Sequence, residues 1–331
     1  MRRNVMRTKL GVDISKRKFD VALLDAQGKF RSKVFANDAA GFSQLMDWIE
    51  SHVQGGKSEA HACMEATGSY HEALAVFLHD SGVAVSVVNP LRVKRFIESE
   101  GIRNKTDNAD AKALARFAHK HELELWEAPT LGLRRLQALV LRLQTLQDMR
   151  QAELNRLDVA HDSVRPSIQA MVDSLVGAIE EVTAQIKSSI DDDPDLRGRK
   201  ELLQTIPGLG EKTIPQLLAY IGRPERFSSA KALVAYASLS PMIRQSGSSL
   251  NRSRGTHPTG HKELRQALFY PAMVAAKYNP LIAAFWARLK AQNKPGLVVV
   301  VACMHKLLAI AYGVLKSKKP FDPAHGTALA A

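Results

Sequence analysis

The sequence contains very little cysteine, which argues against two classes of site. Cys63 and Cys303 are the only cysteines among 331 residues, and neither belongs to a paired motif. A disulfide framework and a thiolate zinc site are therefore not supported. This composition favours a protein that works in the reducing cytoplasm.

Long hydrophobic runs are also scarce. No apolar run of signal-peptide length precedes Asp13, so we expect no secretion signal. The most hydrophobic segment starts at Gly296, and His305 and Lys306 interrupt it. We therefore predict a buried helix in this segment and no membrane span.

Acidic residues are outnumbered by basic ones. The chain has 46 Lys and Arg against 33 Asp and Glu, a formal net charge of +13 and a pI near 9.8. This balance indicates a polyanionic partner, and nucleic acid is favoured over a membrane surface. The length allows two or three domains with hydrophobic cores.

The first third of the chain alternates between strand and helix patterns. Three consecutive strands are predicted at residues 10–15, 19–25 and 29–36, followed by alternating helices and strands. This order is compatible with an α/β ribonuclease-H-like sheet, and we assign the domain to residues 1–128.

Strand patterns disappear near residue 131, and leucines then recur at the spacing of one apolar seam. Residues 129–199 are predicted to form a helical hairpin or coiled coil, broken near Pro166, with 191–200 as a linker. The helices could pack on their own domain or form an oligomer interface. Residues 200–331 are predicted to be mainly α-helical, with an irregular basic loop inside.

The segment LLQTIPGLGEKTIPQLLAYIG has the helix, Gly-x-Gly turn, helix pattern of a helix-hairpin-helix motif. Gly208 and Gly210 permit a tight turn whose backbone N–H groups, together with Lys212, could hold a nucleic-acid phosphate. The alternative is a glycine turn that only joins two packed helices.

Four carboxylates stand out in this basic chain. Asp13 lies inside an apolar strand, Glu65 ends another strand, and Asp107 and Asp110 begin a predicted helix on one face. A charge inside an apolar strand is costly unless it is paired or binds metal. Together the four suit a Mg²⁺ or Mn²⁺ site that acts on a phosphodiester. Each acid alone could instead serve a turn, a helix start or an ion pair.

The basic loop after residue 240 combines cations with serines. One acid, Glu263, accompanies five basic residues, which are Arg244, Arg252, Arg254, Lys262 and Arg265. Such a loop can neutralise phosphates and place a serine hydroxyl next to phosphorus. Ser246, Ser248 and Ser249 are the candidate nucleophiles, and the alternative is a flexible Gly/Ser loop.

Taken in order, these motifs resemble the DEDD transposases of the insertion-sequence one-ten family, also called bridge-RNA-guided recombinases. The motifs are GVDISKRKFDVALLD, CMEATGSYHEALA, NKTDNADAKALA, IPGLGEKTI, SLSPMIRQSGSS and GHKELRQALFYPAM. The resemblance implies a RuvC-like metal-binding domain, a coiled-coil region and a C-terminal transposase domain. It further implies that Mg²⁺ or Mn²⁺ binds the four acids, Asp13, Glu65, Asp107 and Asp110.

The resemblance also implies a mechanism and a set of partners. Ser246, with Ser248 as the fallback, would attack DNA to form a 5′-phosphoserine intermediate. Target and donor DNA, a structured non-coding guide RNA and a dimer of dimers would be the partners, with no membrane involved. Two other functions stay open: a RuvC-like structure-selective endonuclease that uses metal-activated water, and a non-catalytic nucleic-acid-binding scaffold.

Overall fold

The structure is a computed structural model that divides into two compact units, Met1–Ala128 and Pro129–Ala331. A further division of the second unit at residue 199 stays a prediction. The described residues are 8–25, 27–66, 70–101, 107–246, 250–256 and 260–324, with the backbone alone described for 241–246 and 250–256.

The first unit is built on a five-stranded sheet. The strands are β1 (Thr8–Ile14), β2 (Lys18–Leu24), β3 (Phe30–Ala36), β4 (Ala60–Glu65) and β5 (Ala84–Val88). In the order β3-β2-β1-β4-β5, the first three strands are antiparallel, and β4 and β5 run parallel to β1. The three predicted strands are confirmed, and the α/β arrangement fits the predicted ribonuclease-H-like sheet.

Helices cover both faces of this sheet. They are α1 (Ala39–His52), α2 (Glu72–Asp80), α3 (Pro90–Ser99) and α4 (Asp107–Lys120). Alternate residues of a strand face opposite sides of the sheet. Val12 of β1 therefore packs in one core with Leu45 of α1, whereas Cys63 of β4 packs in another core with Phe96 of α3 and Leu114 of α4.

Close packing between β1 and α4 depends on Gly11. A Cβ at this position would collide with the main-chain carbonyl of Ala111 and with the backbone of Ala115. A helix backbone cannot yield as a flexible side chain would, so a larger residue would push α4 off the sheet. Gly11 thus sets the helix that begins with Asp107 against the strand that carries Asp13.

The second unit is mainly α-helical. Its helices are α5 (Leu131–Val159), α6 (Arg165–Asp191), α7 (Pro194–Gln204), α8 (Ile214–Ile221), α9 (Ala230–Tyr236), α10 (Lys262–Ala267), α11 (Phe269–Tyr278), α12 (Pro280–Ala291) and α13 (Gly296–Ser317). One two-stranded antiparallel sheet, β6 (Pro241–Ser246) and β7 (Leu250–Thr256), lies between α9 and α10; we call it the ribbon.

The long helices α5 and α6 pack against each other and join the core of their own unit through Val140 and Ile186. The helical run ends at Val159, and Pro166 lies in the first turn of α6, where its missing N–H removes no hydrogen bond of the helix. The predicted break is therefore confirmed. The coiled coil itself stays a prediction.

The segment 191–200 is not the predicted linker. Asp193 caps α7 by accepting hydrogen bonds from the N–H groups of Asp195 and Leu196 at 3.0 and 3.1 Å, and Pro194 occupies the first turn. An Asp-Pro pair marks both loops and helix starts. Burial of Leu196 in the core accompanies the helix here.

The ribbon replaces the predicted irregular loop, so that prediction was wrong. Its strands contain mostly polar residues and lack the apolar alternation that identifies a strand in a sequence. Cross-strand pairing forms them instead, with Arg244 opposite Arg252 and Ser246 opposite Leu250.

Helix α13 is long and apolar enough to cross a membrane, if length and composition alone are considered. Within the second unit it packs as a core helix, because Val299, Cys303, Leu307 and Ala311 are fully buried. The predicted buried helix is confirmed.

Candidate functional site

Aspartates from three elements gather at one end of the sheet. Asp13 in β1 pairs with Asp20 in β2, while Asp107 and Asp110 occupy the first turn of α4. Because Gly11 touches α4, Asp13, two positions further along β1, lies on the same face. Three of the four predicted acids, and one that was not predicted, therefore form an acid cluster: Asp13, Asp20, Asp107 and Asp110.

Glu65, the fourth predicted acid, lies at the end of the neighbouring strand β4. The parallel register pairs Val12 with Met64, so Glu65 occupies the next position beside Asp13 on the same face of the sheet. Its charge also acts on Cys63: burial and, to a smaller extent, the charge of Glu65 together raise the pKa of this thiol to about 12. Cys63 is therefore a neutral core residue.

A lysine bridges two members of the cluster. Lys18 Nζ donates to Asp107 Oδ2 at 2.9 Å and lies 3.4 Å from Asp20 Oδ2. The hydrogen bond from Lys18 lowers the pKa of Asp107, and the same bond raises the pKa of Lys18. The lysine thus compensates part of the negative charge.

The pKa of Asp13 shifts in the opposite direction from that of Asp107. Burial and, to a smaller extent, the carboxylates of Asp110, Asp107 and Asp20 together raise the pKa of Asp13 to about 6. Carboxylates that disfavour one another's charge in this way would be stabilised by an added cation.

The donor chemistry of the cluster fits a divalent cation, because carboxylate oxygens are the ligands that Mg²⁺ and Mn²⁺ prefer. Among the residues that the structure describes, no three acidic, histidine or cysteine side chains lie close enough to hold an ion together. The oxygens are therefore of the right kind, but they are not drawn together at metal-binding distances.

Asp20 and Lys18 were not among the residues predicted from the sequence. The signal for Asp20 was present, since it lies in the apolar stretch FDVALL just as Asp13 lies in GVDIS. A charge in a strand requires a partner. The antiparallel pairing of Asp13 with Asp20 was needed to bring Asp20 into the cluster.

Replacing Asp13 with asparagine should stabilise the metal-free protein at neutral pH. The folded-state pKa of Asp13, about 6, lies above its ordinary value of 3.8, so the folded protein holds this proton more tightly than the unfolded chain. The resulting stabilisation is complete below pH 3.8 and is lost as the pH rises through about 6. Thermal unfolding in EDTA should give Asp13→Asn the higher Tm at pH 7.5, and the difference from wild type should be clearly smaller at pH 4.5.

Asp47→Asn is the matched control for that measurement. Asp47 is exposed on α1, which covers the other face of the sheet, and its substitution changes the net charge equally. A stabilisation of the same size in Asp47→Asn would show that general charge, and not the crowding around Asp13, causes the effect.

In the second unit, the register of the ribbon relates the backbone positions of the predicted serine and the predicted arginines. Arg244 pairs with Arg252, and Ser246 lies two positions further along the same strand, at its end. By the two-residue period of a strand, the register positions of Ser246, Arg244, Arg252 and Arg254 share one face of the ribbon. Ser248 and Ser249 lie outside the described residues.

The remaining predicted nucleic-acid contacts line one groove of the second unit, with a volume of about 1240 Å³. Lys262 and Arg265 of α10 lie on one side, and the turn between α7 and α8 contributes Gly208, Gly210 and Lys212. Tyr270 of α11 also lines the groove and is 73% exposed. Acids are present as well, among them Glu263, whose carboxylate lies 3.2 Å from His261.

The two glycines of the turn have different roles. Gly208 has a φ of +106°, and a Cβ there would come within 2.5 Å of Ala275, so this glycine permits close packing on α11. A Cβ at Gly210 would meet nothing within 4 Å, so this part of the turn is open to a ligand. A helix-hairpin-helix motif stays a prediction, since packing alone explains one of its glycines.

Comparison with known families gives two matches. A DEDD transposase model for IS110 matches residues 10–166, and the model described as transposase IS116/IS110/IS902 family matches residues 200–287. The first match contains all four predicted acids, and the second contains the turn with Gly208 and the ribbon with Ser246.

Individual relatives agree with these matches. The chain is 36% identical to the pilin gene-inverting protein of Moraxella bovis, over 96% of this chain and 98% of the relative. It is 23% identical to the mini-circle putative transposase for IS117 of Streptomyces coelicolor, over 94% of each chain. Among solved structures, Thermus thermophilus RuvC covers 36% of this chain and 99% of its own, with 13% identity and a TM-score of 0.27, which is too low to support an argument.

Proposed function

Because the chain belongs to the IS110 family of DEDD transposases and is thus a DNA recombinase, we propose that it moves an insertion element by RNA-guided, serine-mediated strand exchange. The observation that carries the serine chemistry is the register of the ribbon. It assigns Ser246 and three arginines to a single face. These are the groups that an attack on a phosphodiester requires.

The acids of the first unit would hold the metal in this proposal. Asp13, Glu65, Asp107 and Asp110 supply hard oxygen ligands, for which Mg²⁺ or Mn²⁺ is suited. A bound cation would neutralise charge on the reacting phosphate and help to activate the nucleophile. The raised pKa of Asp13, about 6, supports this assignment, because an uncompensated carboxylate gains most from a nearby cation.

Ser246 would attack the DNA phosphorus through its Oγ. A bond forms between Oγ and phosphorus, the bond from phosphorus to the 3′-oxygen breaks, and the proton lost by Oγ is balanced by protonation of that leaving oxygen. The phosphate thereby stays in an ester bond, now to the serine. A 3′-hydroxyl from another strand can then attack the phosphorus and release the serine without an external energy source. Arg244 and Arg252 would stabilise the charge on the non-bridging oxygens.

Sequence choice would be made by base pairing with a structured guide RNA. The basic ribbon and the groove in the second unit offer phosphate contacts, which position a nucleic acid without reading its sequence. The net charge of +13 supports partners with phosphate backbones. Such a protein would act in the cytoplasm, where its DNA and RNA are found.

A dimer of dimers would bring the serine of one subunit to the acids of another. The outer part of the helical hairpin formed by α5 and α6 supports self-association, because it exposes apolar side chains that do not join the core. These are Met149, Val159, Val164 and Met171, exposed by 47%, 86%, 47% and 51%. The mass of the particle, measured by light scattering, would test the assembly.

The pilin gene-inverting relative fits the same class of reaction. Inversion of a gene segment and insertion of an element both exchange strands between two DNA sites. Our proposal assigns this exchange to the present chain, with its own element as the segment that moves.

The proposed function can be tested by reconstitution. Purified protein, a plasmid that carries the element and its flanking non-coding RNA should yield circularised element when Mg²⁺ is present, detected by amplification across the new junction. Circles should be lost when the RNA is omitted. Equal yields without RNA would disprove guidance, whereas linear breaks without circles would favour a RuvC-like endonuclease.

The groove of the second unit should bind unpaired nucleotides in part through Tyr270. Base stacking on an exposed aromatic ring contributes about 1–3 kcal/mol, so Tyr270→Ala should weaken binding of a single-stranded oligonucleotide by roughly tenfold. Tyr270→Phe should retain the affinity, because it keeps the ring. Fluorescence anisotropy with labelled DNA and RNA strands would measure both.

Tyr278 provides the matched control on the same helix. It is 70% exposed, close to the 73% of Tyr270, but it does not line the groove. Tyr278→Ala should bind as the wild type does. An equal loss in the two alanine variants would mean that the groove is not the binding surface.

A further inference from the structure

Lys18 contacts the acid cluster but takes no part in the chemistry described above. Its ammonium group lies at the start of β2, 2.9 Å from Asp107 Oδ2 and 3.4 Å from Asp20 Oδ2. These two carboxylates come from a helix and from a strand that are far apart in the sequence. Lys18 is therefore a positive charge placed between acids from different elements.

A lysine ammonium and a divalent cation cannot both bind the same carboxylate oxygens with full affinity. Lys18 uses an oxygen of Asp107, which the proposed function assigns to the metal. Two cations drawn to the same carboxylates repel each other, and each also competes for the same lone pairs. Binding of one must therefore weaken binding of the other.

We propose that Lys18 is the resident counter-ion of the acid cluster. It holds Asp107 and Asp20 together in the metal-free protein and is displaced when a divalent cation takes the oxygens of Asp107. This rests on the proposed function, which assigns Asp107 to the cation. Lys18 thereby lowers the affinity for the cation, and it reduces the repulsion between Asp107 and Asp20 before the cation arrives.

The exposure of the three side chains fits a displaceable contact. Lys18 and Asp107 are 48% and 59% exposed, whereas Asp20 is 11% exposed. Exposed ion pairs contribute little to stability, and the four-carbon stem of lysine can swing away without disturbing the strand. When the cation binds, the buried carboxylate of Asp20 would stay in place, and the exposed ion pair between Lys18 and Asp107 would open.

Manganese binding to the full-length protein tests this role without requiring catalysis. Mn²⁺ is titrated against wild type and Lys18→Gln, and the free ion is measured by electron paramagnetic resonance. Lys18→Gln should bind Mn²⁺ roughly tenfold more tightly, because a competing charge a few ångströms away has been removed. Lys18→Arg keeps the charge and should stay close to wild type.

Lys16→Gln is the matched control. Lys16 is exposed in the same turn between β1 and β2, and in the described part of the chain it forms no ion pair. Its substitution changes the net charge equally but removes no contact with an acid. It should therefore alter Mn²⁺ affinity much less than Lys18→Gln does.

The outcomes separate the counter-ion from the metal site. If Lys18→Gln bound Mn²⁺ no more tightly than Lys16→Gln, or more weakly than wild type, Lys18 would be a positioning residue and the counter-ion proposal would be wrong. In that case, weaker binding in Asp13→Asn would still support the metal site. Failure of both wild type and Lys18→Gln to bind Mn²⁺ would refute the metal site and the counter-ion together.

Discussion

Alanine at position 246 should abolish the covalent protein–DNA species that we propose the wild type forms with element DNA, guide RNA and Mg²⁺. The proposed bond to phosphorus is made by the hydroxyl oxygen of Ser246, and alanine has no atom that can replace it. We expect a loss of at least about a thousandfold. Denaturing electrophoresis of end-labelled DNA would detect the protein-linked band.

Ser253→Ala is the control for this experiment. Ser253 lies in the same ribbon opposite Ile243, at a register position on the other face from Ser246. Its alanine variant should keep the covalent band. Survival of the band in Ser246→Ala, with loss in Ser248→Ala, would assign the nucleophile to Ser248.

Asparagine at position 13 should stop strand cleavage while leaving binding of DNA intact. The substitution removes one of the carboxylates that we propose as metal ligands but keeps the size of the side chain. We expect cleavage to fall by at least about a thousandfold, the range seen when an essential catalytic group is lost. Cleavage of labelled DNA and its binding by gel shift would be measured on the same preparation.

Asp47→Asn should cleave as the wild type does, because its carboxylate lies on the helix covering the opposite face of the sheet. Two results would change the assigned function. Loss of cleavage in Asp13→Asn but not in Ser246→Ala, with hydrolysed 5′ ends, would favour the endonuclease. Undiminished nucleic-acid binding, with no strand breakage by the wild type or by any variant, would favour the non-catalytic scaffold.

Local patterns were sufficient to predict the sheet of the first unit. Apolar alternation marked β1, β2 and β3, and the buried interior of α13 was evident from its composition. These features depend on residues close in sequence, whose periodicity records which face is buried. Asp13 was predicted for a related reason, since charge in an apolar strand is conspicuous, and Asp107 and Asp110 were predicted because their spacing puts both on one helix face.

Features that depend on register could not be predicted in this way. Asp20 joins the cluster only because β1 and β2 pair it with Asp13, and the polar ribbon forms through cross-strand pairing. Asp193 and Pro194 were ambiguous, because the same residues begin loops and helices. The contact between Lys18 and Asp107 spans 89 positions, far beyond any local pattern.

The main-chain contact at Gly11 positions α4 on the sheet without involving the acidic side chains. Helix α4 is seated on β1 by backbone atoms of Gly11, Ala111 and Ala115, and none of the acids takes part in that contact. Carboxylates can therefore be exchanged one at a time for neutral side chains while the scaffold that displays them keeps its shape. In the assembly that we propose, an inactive Asp13 variant should thus still fold and associate with other subunits, so that mixed assemblies could show which subunit supplies the acids and which supplies the serine.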